Sequence, residues 1–147
     1  MIEVNSETQQ YNMKTLMIII FSMITISCAT QKQQTKNTPD FDQIKFGSGG
    51  GFTGAERQYL LENNGNVYKV TRDSTFQINQ IAMPEIDSIS NLLDKISFKS
   101  IEFNETGNFT YHIEVITSDY KKKVTWTDQS QAVELKNIYN KLVKTLK

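Results

Sequence analysis

Three features of the sequence contain residue types that could do chemistry. Cys28, the only cysteine, is a thiol that follows an apolar run. The glycine-rich stretch 47–54 surrounds a single aromatic side chain, Phe52, and glycine-rich loops can offer backbone N–H groups to an anion. His112, the only histidine, is a residue type that transfers protons and binds metals near neutral pH. What each can do depends on the elements that position it.

The residues before Cys28 indicate export and lipidation of its thiol. Lys14 precedes an apolar run at 16–26, and the small residue Ser27 follows that run. A basic flank, a short apolar core and a small residue before the cut are typical of a secretory signal. The run is too short for a bilayer span, which takes about 20 residues. Its ending, Ile26-Ser27-Cys28, resembles the lipobox of bacterial lipoproteins, which implies a covalent lipid on the Cys28 sulfur.

This signal also predicts the domain boundaries. Residues 1–27 are an N-terminal extension and signal peptide, with Met13 as an alternative start because the preceding residues are acidic and polar. Residues 28–40 are the lipidated cysteine and a flexible linker, whose polar composition cannot offset the entropy of ordering. Residues 41–147 are long enough for one domain. The chain has 16 basic and 16 acidic residues, so no basic field attracts nucleic acid.

Hydrophobic periodicity predicts the elements of that domain. Alternating apolar and polar residues indicate strands at 44–46, 58–62, 67–71, 75–81, 109–116 and 124–126. Apolar residues three and four apart indicate two amphipathic helices, with stripes formed by Ile86, Ile89, Leu93 and Ile96 and by Leu135, Ile138, Leu142 and Leu146. Pro84 suits a first helical turn, and Asp128 or Ser130 could cap the second helix. The predicted fold is α+β, an antiparallel sheet of about four to six strands with two helices packed on one face.

The candidate site is a loop in the glycine-rich stretch. It comprises Gly49, Gly50, Gly51, Phe52, Thr53 and Gly54. A phosphate cradle would need a helix after the glycines, whereas 58–62 reads as a strand. The stretch is therefore predicted to break regular structure and connect two strands widely, with Phe52 either tucked into the core or offered to a partner.

No catalytic or metal-binding set stands out from the sequence. His112 lies on the polar face of its predicted strand, and no paired carboxylates or second histidine surround it. A solvated strand histidine is the simpler interpretation. We therefore predict no enzyme activity, no metal and no cofactor other than the lipid on Cys28.

Two resemblances bear on function. The lipobox together with the block 44–54, Gly107-Asn108-Phe109 and Val124-Thr125-Trp126 is similar to small lipoproteins common in Bacteroidota. This implies a cell-envelope protein, and without acidic residues just after Cys28 an outer-membrane anchor facing the periplasm is favoured. Gly50-Gly51-Phe52-Thr53-Gly54 also resembles the Gly-Gly-Phe-Ala-Gly block of the emfourin family, inhibitors of thermolysin-like metallopeptidases. The leading hypothesis is a binding or structural lipoprotein, and the alternative is a peptidase inhibitor acting through Gly49–Gly54.

Overall fold

The computed structural model describes residues 39–52 and 54–147. Its strands are β1 (Gln43–Gly50), β2 (Ala55–Glu62), β3 (Asn66–Val70), β4 (Thr75–Gln80), β5 (Phe109–Ile116) and β6 (Lys121–Thr127). Its helices are α1 (Met83–Lys95), a 3-10 turn (Phe98–Ser100) and α2 (Val133–Lys144). The predicted signal peptide, Cys28 and the linker up to residue 38 lie outside the described residues.

The six strands in this part of the chain form one antiparallel sheet in the order β4-β3-β2-β1-β5-β6. Both helices lie against one face of it, so the predicted α+β fold is confirmed. β1 is a central strand, since it pairs with β2 on one side and β5 on the other. The β1–β5 pairing joins residues that are 59 to 73 positions apart in the chain, and it makes the glycines of β1 part of the sheet interior.

The core lies between the sheet and the two helices. Register places the buried strand residues on one face: Ile44, Phe46, Leu61, Val67, Ile113, Val115, Val124 and Trp126. The predicted helix stripes supply the other side, with Ile86, Ile89, Leu93, Leu135, Ile138 and Leu142 all buried. The buried hydrophobic residues of the described chain form one cluster between Phe41 and Leu142, and this core lies within the compact unit Lys36–Lys147.

The strand directions give the sheet two distinct ends. Pro39 and Asp40 lead into β1 at one end, where the Asp40 N–H donates to Ser90 Oγ of α1 at 3.1 Å. β1 then runs to Gly50 at the opposite end, where the chain turns back into β2. The point at which the chain enters the domain and the glycine-rich turn are therefore separated by the full length of β1.

Two local predictions were wrong. The stretch from Gly47 was expected to break regular structure, yet β1 continues through Gly50 because two neighbouring strands supply partners for its backbone. The expected cap of α2 by Asp128 or Ser130 is also absent: Ala132 stands at the N-cap. Ser130 Oγ instead accepts from the Thr127 N–H at 2.8 Å and donates to a carboxylate oxygen of Glu105.

No helix within residues 39–52 and 54–147 is both long enough and apolar enough to cross a bilayer.

Candidate functional site

The glycine-rich loop is a tight turn at the tip of the β1–β2 hairpin. The Gly54 N–H donates to the Gly51 carbonyl at 3.1 Å, closing a four-residue turn over 51–54. The Gly51 N–H donates to the Asn108 carbonyl at 2.6 Å, which ties the base of the turn to the residue before β5. The turn is therefore narrower than the wide connection that the sequence indicated.

Positive backbone angles explain why this turn is built from glycine. Gly50, Gly51 and Gly54 have φ values of 113°, 73° and 60°, a region that side-chain-bearing residues rarely adopt. A Cβ on Gly50 would also overlap the Asn108 carbonyl oxygen. The backbone conformation of the turn therefore requires glycine at these positions. The high glycine content of residues 47–54 does not have to indicate a mobile linker.

Phe52 is the exposed side chain of this turn. It is fully exposed and lies at the tip of the hairpin, beyond the last paired residues of the strands. Thr53 lies outside the described residues. Of the two interpretations left open by the sequence, the core role for Phe52 is wrong, and the side chain faces solvent.

The other exposed large hydrophobic residues of the described chain lie on different elements: Phe76, Ile78, Met83 and Val133. Phe109 lies close to the turn, since its Cδ2 is 3.8 Å from the position that a Cβ on Gly51 would take. Among the described residues, none of these four lies in the 51–54 turn, so Phe52 is the only exposed large hydrophobic side chain described there. A single projecting ring on a narrow turn suits a pocket or a cleft better than a flat partner surface.

A group of aromatic rings lies behind this turn, between the sheet and α2. Tyr111 stacks on Trp126 with ring centroids 5.9 Å apart, and Tyr139 of α2 meets both rings edge-on at 5.2 and 5.8 Å. Phe109 continues the series at 5.1 Å from Tyr111. The alternation at 109–116 and 124–126 predicted the strands that carry Tyr111 and Trp126, but the contact of both rings with Tyr139 could not be foreseen.

A cavity of about 310 Å³ opens beside these rings and is lined by Tyr111, Trp126, Asp128, Lys136, Tyr139 and Asn140. Burial raises the pKa of Tyr139, and the hydrogen bond between Tyr139 and Ser48 acts in the opposite direction.

The Lys136 ammonium donates hydrogen bonds to the backbone carbonyls of Asp128 and Ser130 at 3.1 and 2.7 Å. These contacts brace the start of α2 against the glycine-loop end of the sheet.

A larger cavity, about 480 Å³, lies at the opposite end of the sheet, among residues that include Asp40, Asp94 and Tyr120. Burial is the main cause that raises the pKa of Tyr120, followed by the charges of Asp94 and Asp40. Within the described residues no group of three or more histidine, cysteine or acidic side chains could hold a metal ion. This cavity is separate from the glycine-rich turn, which lies at the other end of β1.

His112 lies in the middle of β5 on the face away from the helices, as the sequence indicated, but it is half-buried. Its ring packs over Gly47 of the neighbouring strand. Burial and then the Lys123 charge lower the pKa of His112 below 6.5, while Glu56 and Glu114 act in the opposite direction. These effects favour the neutral form of the His112 ring. The ring occupies the space above Gly47 in the sheet.

A pH dependence of stability follows from this environment. Below pH 6.5 the unfolded chain takes up a proton that His112 binds less readily in the folded state, so the free energy of unfolding should fall as the pH drops below that value. Well above pH 6.5, His112 is neutral in both states and contributes no dependence. The His112→Gln variant should lose less stability over the same interval, as measured by urea unfolding at a series of pH values. An NMR titration that places the pKa of His112 above 6.5 would contradict this prediction.

No protein-family model matches this chain, and no curated protein matches it either.

Proposed function

We propose that this protein is a lipid-anchored protein of the cell envelope whose domain binds a protein partner through the Gly49–Gly54 loop. The observation that carries the proposal is the full exposure of Phe52 on a tight hairpin turn. An aromatic ring that stays in solvent adds no burial to the stability of the fold. The same ring buried in a partner contributes about 2 kcal/mol or more to the free energy of binding. The proposal assigns the chain no enzymatic reaction.

The stiffness of the hairpin supports this role. β1 is paired along its length with both β2 and β5, up to Gly50 opposite Ala55 and Phe109. A loop on a rigid support loses little conformational freedom on binding, and the entropy cost of association is correspondingly lower. Phe52 is thus presented by the central strand of the sheet.

The direction in which the loop points also fits an anchored protein. The chain enters the domain at Pro39, and the turn lies at the far end of β1, whose eight residues span about 26 Å. A lipid on Cys28 would tether the domain through the linker that enters at Pro39, at the end of β1 opposite the glycine-rich turn, so the attachment point and the turn would not compete for the same surface. We propose the outer membrane, with the domain in the periplasm, as the location.

The anchor is tested on the full chain by replacing Cys28 with serine. Wild-type protein expressed in a bacterium with a lipoprotein pathway should incorporate labelled palmitate and sediment with membranes. The Cys28→Ser variant should lose the label completely, because serine has no thiol to which the lipid can be attached. A wild-type chain that incorporates no lipid would refute the anchored location, and would leave the proposed loop untouched.

The peptidase-inhibitor alternative is favoured by the isolation of Phe52. A lone apolar side chain on a narrow turn can enter an active-site cleft, whereas a broad patch could not. We therefore propose, as a second candidate, that the loop inhibits thermolysin-like metallopeptidases. The test is a titration of such a peptidase with the purified unit Lys36–Lys147. Saturable inhibition of the peptidase would support the inhibitor function. A peptidase that keeps full activity at a large molar excess of the domain would rule that function out, and the partner would then be a different protein.

A further inference from the structure

β4 is an edge strand with an unusual share of exposed apolar side chains. It pairs with β3 on one side only. Phe76 and Ile78 of β4 are about half-exposed, and Met83 follows at the start of α1. Three of the five exposed large hydrophobic residues of the described chain thus fall within eight positions. Such an edge is a ready template for another strand.

The opposite edge of the sheet is protected. At β6, the Thr125 N–H donates to the Phe103 carbonyl at 3.1 Å, and the Thr125 carbonyl accepts from the Glu105 N–H at 3.0 Å. Three consecutive lysines also begin this strand at 121–123. Covering segments and lysines are the devices by which edge strands avoid unwanted pairing. β4, with the sequence Thr-Phe-Gln-Ile-Asn-Gln, contains no charged residue.

The β3–β4 turn fixes which backbone groups of β4 point outward. The Thr71 N–H donates to the Ser74 carbonyl at 2.8 Å, which marks a hydrogen-bonded pair. In an antiparallel pair of strands, hydrogen-bonded and non-hydrogen-bonded residue pairs alternate. The next hydrogen-bonded pair is therefore Lys69 with Phe76. Thr75 and Gln77, on either side of Phe76, direct their backbone N–H and C=O groups to the open edge.

Beyond Gln77 the edge is closed. A register shift interrupts the pairing at Ile78, and the outward N–H of Gln80 donates to its neighbour's side chain, Asn79 Oδ1, at 2.9 Å. The side-chain amide of Asn79 in turn donates to the carbonyls of Thr145 and Lys147 at 2.9 and 2.7 Å. The open part of the edge is therefore the short segment 75–77.

We infer that β4 pairs with β4 of a second copy of this chain, antiparallel and around a two-fold axis at Phe76. In this register Thr75 of each copy lies opposite Gln77 of the other, and the two outward-facing residues exchange both backbone hydrogen bonds. The two copies thereby form four such bonds. The two Phe76 side chains lie directly opposite each other, and aromatic cross-strand pairs stabilise a sheet. The joined structure is a continuous twelve-stranded sheet.

A second copy fits this edge better than an unrelated strand because the segment is complementary to itself. The two outward residues are two positions apart, which is the spacing that a two-fold axis on the residue between them requires. No charged side chain of β4 faces its own symmetry mate, so like-charge repulsion is absent along the pair. An isologous contact of this kind closes at the dimer and does not extend into a filament.

The oligomeric state tests the pairing. The unit Lys36–Lys147, which contains the whole described core, should sediment as a concentration-dependent dimer. Phe76→Lys places two ammonium groups opposite each other and should weaken the dimer by about tenfold or more. Val133→Lys removes an exposed hydrophobic residue of α2 instead and should leave the dimer unchanged. Circular dichroism melting checks that each variant is folded.

Several outcomes would overturn the inference. A wild-type unit that stays monomeric up to millimolar concentration would refute the pairing of two copies. The open edge of β4 would then be available for an extended segment of another protein. A dimer that Phe76→Lys does not weaken, or that Val133→Lys weakens equally, would place the interface elsewhere.

Engineered cysteines test the register, since residues 36–147 contain no cysteine. A non-hydrogen-bonded antiparallel pair brings its Cα atoms to about 4.5 Å, within the range of a disulfide. Phe76→Cys should therefore form a cross-linked dimer under mild oxidation. Thr75→Cys should not, because the two copies of that residue are roughly 8 Å apart. Faster cross-linking at 75 than at 76 would refute the axis at Phe76.

Discussion

Replacement of Gly47 by alanine is expected to lower the free energy of unfolding by about 3 kcal/mol. Gly47 lies in the middle of the central strand β1, between β2 and β5. A Cβ at this position would overlap the backbone carbonyl oxygen of Arg57 and approach His112 Cε1 to 2.9 Å. The histidine ring could rotate away, but the carbonyl belongs to a paired strand and can move only if the sheet distorts.

Gly49→Ala is the matched control for this prediction. Gly49 lies two residues further along the same strand, and the atom nearest to a Cβ placed there would be Glu56 Cγ at 3.5 Å, an ordinary contact. Alanine there should leave the stability unchanged or raise it by up to about 0.5 kcal/mol, because it restricts the unfolded chain. Urea unfolding of both variants measures the difference. Equal effects of the two substitutions would show that Gly47 is not held by close approach of β2.

The contrast between these two glycines shows where sequence reasoning reaches its limit. Isolated from its neighbours, Gly47-Ser48-Gly49-Gly50 has poor strand propensity, and the expectation of a break followed from that. The tertiary context decides otherwise, since strands on both sides pair with this segment. β-propensity depends on neighbours that the local sequence does not specify.

The elements with strong periodicity were predictable for the opposite reason. The stripes on α1 and α2 and the alternation on β5 encode burial directly, and Ile86, Ile138 and Val115 are all buried as expected. What periodicity cannot encode is the partner of each face. The meeting of Tyr139 with Tyr111 and Trp126 depends on how α2 is placed across β5 and β6, which only the fold determines.

The candidate loop was identified from composition, yet its shape was not. Glycine content and one aromatic residue marked 49–54 as unusual, and whether Phe52 faces the core or the solvent was left open. The tight turn follows from the hydrogen bond between the Gly54 N–H and the Gly51 carbonyl and from three positive φ angles. The same glycine-rich sequence is compatible with several turn conformations, so the sequence alone does not specify which one forms.

Phe52→Ala is expected to weaken partner binding by about 2 kcal/mol, roughly thirtyfold, with the stability of the domain unchanged. The ring is fully exposed and contributes no burial to the core, so its removal should shift the free energy of unfolding by less than about 0.5 kcal/mol. If the inhibitor candidate is correct, the inhibition constant against a thermolysin-like peptidase should rise by this factor while the melting temperature stays constant. That separation is what distinguishes a recognition residue from a structural one.

Phe76→Ala provides the control for loss of an exposed ring. Phe76 is also an exposed phenylalanine, but it lies on β4 rather than in the turn. Inhibition should be unaffected by this change, because the turn at Phe52 is intact. A variant at Phe52 that inhibits as well as wild type would remove the loop from the binding surface. A parallel loss of inhibition and melting temperature would instead mean that Phe52 supports the fold, in conflict with its exposure.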